Sequence, residues 1–353
     1  MRGIAALAVV LFHIVHLARL SVPEPFQFIA SDFGKGVHLF FVLSAFSLMH
    51  STNHTTPRTS WVTEYFIKRF FRIAPLFYCL LAAMVLWPVI KGQTVSVNWQ
   101  TLLLNLSFTF GLAPWTGMVW AGWTVGVEML FYAVLPVLML TVHSSRATLG
   151  LAVVGIAVSM ASGALLQAHY AHTMPLYKYN WAYFSFAPNF CYFALGMYAF
   201  RVAQEADRNS NGMRLGVAGL ACLLLLLLFA ARPLGWHPDI VLWGIAFAAL
   251  TLWQSRWPSG WCANRMFEYV GERSYSVYLL HPVMIALLKS PIQSLYAMLQ
   301  PQIGAYAFFL CTVFVLVPLL LMAELSYRLI EIPGIRYGRR INARIRAGQA
   351  EAA

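Results

Sequence analysis

Residues 2–13 read Arg2-Gly-Ile-Ala-Ala-Leu-Ala-Val-Val-Leu-Phe-His13, an apolar run with an ionisable side chain at each end. A helix turns about 100° per residue, so the eleven-residue step from Arg2 to His13 makes about three full turns plus 20°. The two side chains therefore share one helix face, about 16 Å apart along the axis. Ionisable groups inside a membrane-spanning helix are costly unless paired or hydrated, and by default they indicate a functional site.

The whole chain has the composition of a polytopic membrane protein. Of its 353 residues, 60% are hydrophobic and only 10% are charged, and apolar stretches long enough to cross a bilayer recur from end to end. The stretch 99–113 is too short to cross comfortably and ends at Pro114, so we predict that it is re-entrant or interfacial. We predict an all-α transmembrane helical bundle of about ten spans, near residues 3–20, 33–50, 73–90, 118–142, 148–167, 183–202, 215–231, 239–254, 268–289 and 303–325.

The formal net charge of +12 predicts membrane orientation and not a nucleic-acid partner. With the amino terminus inside, eighteen of the 24 lysines and arginines fall in cytosolic loops and ends, which predicts both termini in the cytosol. We expect a transmembrane domain over residues 1–327 and a basic cytosolic C-terminal tail over residues 328–353. The five cysteines are odd in number and lack C-x-x-C spacing, so neither a disulfide framework nor a metal site is expected.

A carboxylate, Glu128, lies about ten residues into the predicted span 118–142, near the membrane midplane. An unpaired carboxylate is costly there, and His13 at similar depth is the expected partner. A carboxylate that orients an imidazole and raises its basicity suits general-base catalysis. Two alternatives stay open: the pair is purely structural, or Arg2 is a topology anchor and His13 bonds a neighbouring helix.

Two further arginines lie three residues apart in Lys68-Arg69-Phe-Phe-Arg72-Ile-Ala-Pro75, at the predicted cytosolic entrance of the third span. On a helix, Arg69 and Arg72 present two guanidiniums on one side, which suits the capture of phosphate oxygens. The alternative is that they set the topology and reach lipid headgroups.

Two other segments bring polar groups into predicted spans. The segment 34–46 has small residues near its outer end, which favours close helix packing, and Ser44 is able to hydrogen-bond across helices. His281 precedes Pro282, so it either satisfies backbone that the proline frees or acts on an acceptor.

Taken together, these segments resemble the acyltransferase-three family of bacterial membrane acyltransferases. The matches follow the family's order over nearly the whole chain and comprise Arg2-x10-His13, Gly36 to Phe46, Arg69-x-x-Arg72 with Pro75, Trp123 to Tyr132 around Glu128, Ser274 to His281, and Tyr327 to Pro333. The resemblance implies ten helices and O-acylation, usually O-acetylation, of a sugar or lipid-linked glycan at the bacterial cytoplasmic membrane. It implies acetyl-CoA or another acyl-CoA as the cytosolic donor.

The resemblance also implies essential roles for Arg2 and His13 and a donor-binding role for Arg69 and Arg72. Three departures accompany it. The family usually has several residues, including an Asp, before the motif arginine, so we expect a misassigned or truncated start at Met1. Ala45 stands where a glycine is common, which concerns local packing. No hydrolase-like extension follows the last span, so a stand-alone form is expected.

For the chemistry, we expect His13 to take the proton from the acceptor hydroxyl or to carry the acyl group transiently. Glu128 is then expected to orient His13, while Arg2 stabilises the thioester oxygen or a donor phosphate. Membrane lipids surround the protein, and no metal is required. A secondary transporter or flippase of a glycan or small anionic substrate is the alternative function, although the two halves show no paired broken helices. A non-catalytic scaffold would tolerate the loss of His13.

Overall fold

The computed structural model describes residues 1–52, 60–93, 98–113, 115–170, 181–205, 211–230 and 239–352, and these residues form helices and contain no strand. In chain order the helices are α1 (Arg2–Ala18), α2 (Gln27–Ser31), α3 (Gly36–Thr52), α4 (Trp61–Ile90), α5 (Trp99–Leu106), α6 (Trp123–Thr141), α7 (Ser145–Tyr170), α8 (Trp181–Phe184), α9 (Phe186–Glu205), α10 (Asn211–Ala230), α11 (Asp239–Arg256), α12 (Arg265–Glu272), α13 (Ser274–Ile303), α14 (Ala307–Ser326) and α15 (Ile332–Ala352).

Each predicted span overlaps one of the longer helices: α1, α3, α4, α6, α7, α9, α10, α11, α13 and α14. The bounds differ most at α4, which begins 12 residues before the predicted span, and at α13, which extends beyond residue 289 to Ile303. By length and composition, 6 helical segments in the described part of the chain are able to cross a membrane, and the longest, Ser274–Gln349, contains both α13 and α14. The protein is therefore an all-helical, multi-pass membrane protein. The count of ten crossings and the cytosolic position of the termini remain predictions.

The stretch 99–113 does not form a spanning helix. Helix α5 has 8 residues, which corresponds to about 12 Å, and a 3-10 turn, Phe110–Leu112, follows it. The side chain of Asn98 caps α5 by accepting a hydrogen bond from the amide of Thr101 (3.2 Å). The re-entrant or interfacial course of this stretch remains a prediction.

Helix α1 packs against α3, α12 and α13 and therefore lies at the centre of this group of helices. Gly36 allows the close contact with α3, because a Cβ atom there would lie 2.7 Å from the carbonyl oxygen of Ala5. Gly196 of α9 meets the carbonyl of Val42 in the same way. The packing role predicted for the small residues of segment 34–46 is confirmed at Gly36.

The carboxyl-terminal segment beyond residue 327 continues through a π-helical turn, Tyr327–Glu331, into α15, which packs along α4. The Glu64 carboxylate accepts hydrogen bonds from the Arg346 guanidinium, and Asn342 Nδ2 donates to the Glu64 carbonyl (3.1 Å). Gly334 permits the contact, since its Cβ would lie 2.6 Å from the carbonyl oxygen of Phe71. The predicted basic tail is therefore a docked helix where the structure describes it.

Candidate active site

Side chains from five helices enclose a small cavity of about 70 Å³, which we call the arginine cavity. Three guanidiniums and one carboxylate line it, so its local charge is positive. Its polar wall includes Arg2, Ser44, Arg69, Arg72, Glu128 and Tyr275. The site predictions for Arg2, Arg69, Arg72 and Glu128 thus converge on one place, although their roles remain predictions.

A hydrogen-bonded network on α3 connects Arg2 with Glu128. Arg2 Nη2 donates to Ser47 Oγ (2.6 Å), and Ser47 Oγ donates to the carbonyl of Ser44 (3.1 Å). Ser44 Oγ in turn donates to Glu128 Oε1, which also accepts from Tyr132 Oη (2.5 Å). Both bonds use the same carboxylate oxygen, and no described side chain donates to Glu128 Oε2, which leaves that oxygen available to a ligand.

Arg69 and Arg72 lie inside α4, because the helix begins at Trp61, well before the predicted start of the third span. Arg69 lies beside the rings of Tyr65 and Tyr132, with its guanidinium carbon 5.9 and 6.0 Å from their centroids. Its buried Nε has no hydrogen-bond acceptor among the described residues, and Arg72 forms no ion pair with any of them. Both guanidiniums therefore keep donors for an anionic ligand.

A second and larger cavity, of about 510 Å³, lies at the level of His13, and we call it the aromatic cavity. Its wall includes Phe110, Trp115, Trp120, Trp123, Tyr183 and Phe184. Val37 and Tyr278 line both cavities, so the two are neighbours. They lie at successive levels along α1, because Arg2 faces one and His13 faces the other.

The ring contacts of His13 define which nitrogen is available. His13 Nδ1 lies 2.9 Å from the carbonyl oxygen of Val9 and 3.2 Å from His281 Nε2. His281 Nδ1 lies 2.5 Å from the carbonyl of Tyr278. A carbonyl only accepts, so each neutral ring carries its proton on Nδ1. The single Nδ1–H of His13 is then shared between the Val9 carbonyl oxygen and His281 Nε2. In this tautomer the lone pair of the neutral ring is on His13 Nε2, and His13 lines the aromatic cavity.

The predicted pairing of His13 with Glu128 is wrong. Glu128 binds Ser44 and Tyr132, and the partner of His13 is His281 on α13. The physical reason is that α1 packs against α13, whereas α6 packs against α9 and α4. Equal depth in a membrane does not make two helices neighbours.

The structure supports the first of the two interpretations that the sequence left open for His281, and the action on an acceptor remains a prediction. Pro282 has no amide hydrogen and therefore leaves the Tyr278 carbonyl without its helical donor. His281 Nδ1 satisfies that carbonyl, and the opposite nitrogen contacts His13. The His-Pro sequence signalled the first contact, but nothing local in the sequence signalled the second.

Several site residues were not predicted as such. Trp115 and Trp120 fall near the outer ends of predicted spans, as residues of an interfacial aromatic belt do. In the structure both line the aromatic cavity. Tyr278 lines both cavities. It stands between Val277 and Leu279 in the Ser274 to His281 motif, so no adjacent polar residue marks it as part of a site. Within the described residues, no three His, Cys, Asp or Glu side chains come together as a metal site.

Comparison with known proteins identifies the kind of enzyme to which this site belongs. The sequence profile of a family described as an acyltransferase domain matches residues 1–322. The chain belongs to this acyltransferase family. The resemblance inferred from the motifs is thereby confirmed, and the activity that the family description names is acyl transfer.

One curated relative of this acyltransferase is the peptidoglycan O-acetyltransferase OatA of Listeria monocytogenes, which is 23% identical over 367 residues. The alignment covers 94% of this chain and 54% of the relative, so the chain spans about half the length of the protein it matches. No solved structure matches this chain.

Proposed function

We propose that this acyltransferase moves an acyl group, acetyl in the simplest case, from acyl-CoA to a hydroxyl of a cell-surface or lipid-linked glycan at the bacterial cytoplasmic membrane. The family supports acyl transfer, and the name of the Listeria relative supports O-acetylation of a peptidoglycan-type glycan. The observation that carries the mechanism is the position of His13 in the wall of a substrate-sized cavity, with its Nδ1 beside the Val9 carbonyl and His281 Nε2.

The arginine cavity suits the donor, because the phosphates of acyl-CoA carry several negative charges and the wall offers three guanidiniums. Arg69 and Arg72 bind a donor phosphate in this proposal. Arg2 shares their cavity instead of that of His13, which favours a phosphate contact over a contact with the thioester oxygen. The volume of about 70 Å³ fits a phosphate-sized group, and the rest of the nucleotide lies outside the cavity.

In the transfer step, His13 Nε2 accepts the proton of the acceptor hydroxyl while the hydroxyl oxygen attacks the thioester carbonyl carbon. The carbon–sulfur bond then breaks, and the CoA thiolate leaves and receives the proton from the imidazolium. His281 Nε2 supports the imidazolium by accepting the hydrogen bond from His13 Nδ1. A transient acyl group on His13 Nε2 is the alternative route, with the same nitrogen as nucleophile.

The test uses purified protein in lipid nanodiscs with radiolabelled acetyl-CoA and un-crosslinked peptidoglycan strands. Wild-type protein is expected to attach label covalently to the strands. His13→Ala and His13→Gln should lose about 10²- to 10⁴-fold in rate, since neither side chain accepts a proton near neutral pH. Near-normal turnover by folded His13→Ala would remove His13 from the mechanism. A transporter would instead carry label into sealed vesicles without covalent attachment.

The donor site has its own test. Replacing Arg69 or Arg72 with Gln should raise the KM for acetyl-CoA about tenfold to a hundredfold, because a charge-assisted contact contributes about 1.5–3 kcal/mol. Arg340→Gln, on the exposed side of α15, is the matched control. An unchanged donor KM in a folded double variant would restore the interpretation of both arginines as topology anchors.

A further inference from the structure

The loop between α5 and α6 is held in shape by one buried amide. Asn105 is fully buried, and its Nδ2 donates to the carbonyls of Thr101 (2.8 Å) and Thr116 (2.6 Å). Its Oδ1 accepts from the amide of Met118 (3.0 Å). These three bonds connect the end of α5 to the far side of the loop, so the loop has a defined conformation.

The same loop carries backbone strain. Phe108, Trp115 and Ala121 have φ values of 59°, 59° and 60°, and within the described residues only Arg19 shares this conformation among non-glycine residues. Each such residue costs about 1–3 kcal/mol and persists only where the surrounding structure imposes it. Trp115 and Ala121 lie in the wall of the aromatic cavity. Two residues of this wall therefore have a backbone conformation that costs free energy, which indicates that the shape of the wall matters.

The wall combines flat rings with a single free base. Trp120 lines the cavity and is 51% exposed, and Trp123 packs against Tyr183 and Phe184 with ring centroids 5.4 and 5.0 Å apart. No Asp, Glu, Lys or Arg lines the cavity within the described residues. His13 Nε2 is thus a polar group that faces a ligand among apolar ring faces.

We propose that the aromatic cavity binds one pyranose ring of the acceptor, with Trp120 and Trp123 as stacking surfaces and His13 Nε2 toward the reacting hydroxyl. This inference rests on the proposed function, because it locates the glycan that His13 activates. A pyranose ring has apolar C–H faces for the indoles and hydroxyls at its rim for the base. No Lys or Arg is among the described residues that line the cavity, so an anionic ligand has no direct ion-pair partner in the wall.

A cationic ligand is a poorer fit, although aromatic cages also bind cations. Lys35 Nζ already lies 5.8 Å from the centroid of the Tyr183 ring, where it would repel a second positive charge. The uncharged saccharide is therefore the occupant that the wall favours.

Steady-state kinetics in nanodiscs, with peptidoglycan strands and acetyl-CoA varied separately, test the proposal. Trp120→Ala should raise the KM for the strands at least tenfold, equivalent to about 1.4 kcal/mol, with the KM for acetyl-CoA within twofold of wild type. Trp120→Phe should restore most of the affinity, because it keeps a ring face. Trp99→Ala is the matched control, since Trp99 is 71% exposed on α5 and does not line the cavity.

The proposal would be overturned if the KM for the peptidoglycan strands stayed within twofold of the wild-type value in both folded Trp120→Ala and folded Trp123→Ala. If wild-type protein transfers no acetyl group to the strands, the proposed reaction fails, and quenching of intrinsic tryptophan fluorescence by the strands decides the cavity separately. Binding by wild type that is lost in Trp120→Ala would support the site, and absence of binding by wild type would exclude it.

Discussion

At the scale of single residues, two backbone carbonyls determine how His13 works. The Val9 and Tyr278 carbonyls hold the protons of His13 and His281 on Nδ1. The Tyr278 carbonyl is free to do so because Pro282 cannot donate to it. Pro282 thus fixes the tautomer of His281, whose Nε2 faces His13 Nδ1 as an acceptor.

His281 is expected to act as a positioning residue for His13. His281→Leu removes one of the two acceptors of His13 Nδ1–H and leaves only the Val9 carbonyl, so kcat should fall about tenfold to a hundredfold while the KM for acetyl-CoA is unchanged. His281→Gln offers an amide oxygen to the same N–H and should recover part of the loss. Kinetics of both variants check this, with gel filtration as the control for folding. Equal kcat values for wild type and His281→Leu would contradict the role.

Glu128 is expected to act on the donor cavity and not on the base. Glu128→Gln keeps an oxygen for the Ser44 and Tyr132 hydroxyls but removes the charge that offsets the three guanidiniums. The KM for acetyl-CoA should change, whereas the pH at which transfer reaches half its maximal rate should match wild type. pH–rate profiles of the two proteins measure this. A displaced profile in Glu128→Gln would reinstate its coupling to His13.

The sequence identified Arg2, His13 and Glu128 as candidates because ionisable residues in apolar spans are costly. It identified Arg69 and Arg72 because two guanidiniums on one helix side suit phosphate oxygens. It predicted one wrong contact, between His13 and Glu128. The periodicity of α1 places Arg2 and His13 on one face, but the identity of the facing helix depends on long-range packing. The contact between His13 and His281 joins residues 268 positions apart.

At the scale of elements, glycines determine where helices come close, and α15 allows a test. Gly334→Ala would place a Cβ 2.6 Å from the Phe71 carbonyl oxygen, at a cost of about 1–3 kcal/mol. Gly348→Ala on the same helix meets no atom within 4 Å, so it should be neutral or slightly stabilising, since Ala favours helices over Gly by up to about 1 kcal/mol.

Thermal unfolding in detergent compares the two α15 variants. We expect a lower Tm for Gly334→Ala only, together with faster proteolysis of the carboxyl-terminal segment. Equal Tm values for the two variants would show that α15 does not depend on its packing against α4.

Hydropathy predicted the long helices well, because an apolar run of sufficient length in a bilayer satisfies its backbone hydrogen bonds by forming a helix. It predicted less about the segments between and after them. The charge of residues 328–353 indicated a solvated tail, yet Asn342 and Arg346 bind Glu64 on α4. The loop after α5 depends on the buried bonds of Asn105, which composition does not reveal.

At the scale of the whole molecule, the two cavities are ordered in the same direction along two neighbouring helices. Helix α1 passes from Arg2 at the arginine cavity to His13 at the aromatic cavity. Helix α13 passes from Ser274 and Tyr275 at the arginine cavity to His281 beside His13. A donor and an acceptor that approach from opposite sides of the membrane would meet between them.

Because the arginine cavity lies at the amino-terminal end of α13, the orientation of α13 in the membrane tests from which side the donor enters. Its 30 residues are about 45 Å long, which exceeds the hydrocarbon thickness of about 30 Å. Gly260 precedes α13 on the arginine-cavity side, is exposed and has no atom within 4 Å of an added Cβ. Gln302 is exposed near the other end of α13.

In a protein without native cysteines, Gly260→Cys should react with an impermeant maleimide only after the membrane is opened. Gln302→Cys should react in intact cells. Labelling of Gly260→Cys from outside would place the arginine cavity on the outer side, where cytosolic acyl-CoA does not reach it, and would exclude this donor while leaving His13 as the base.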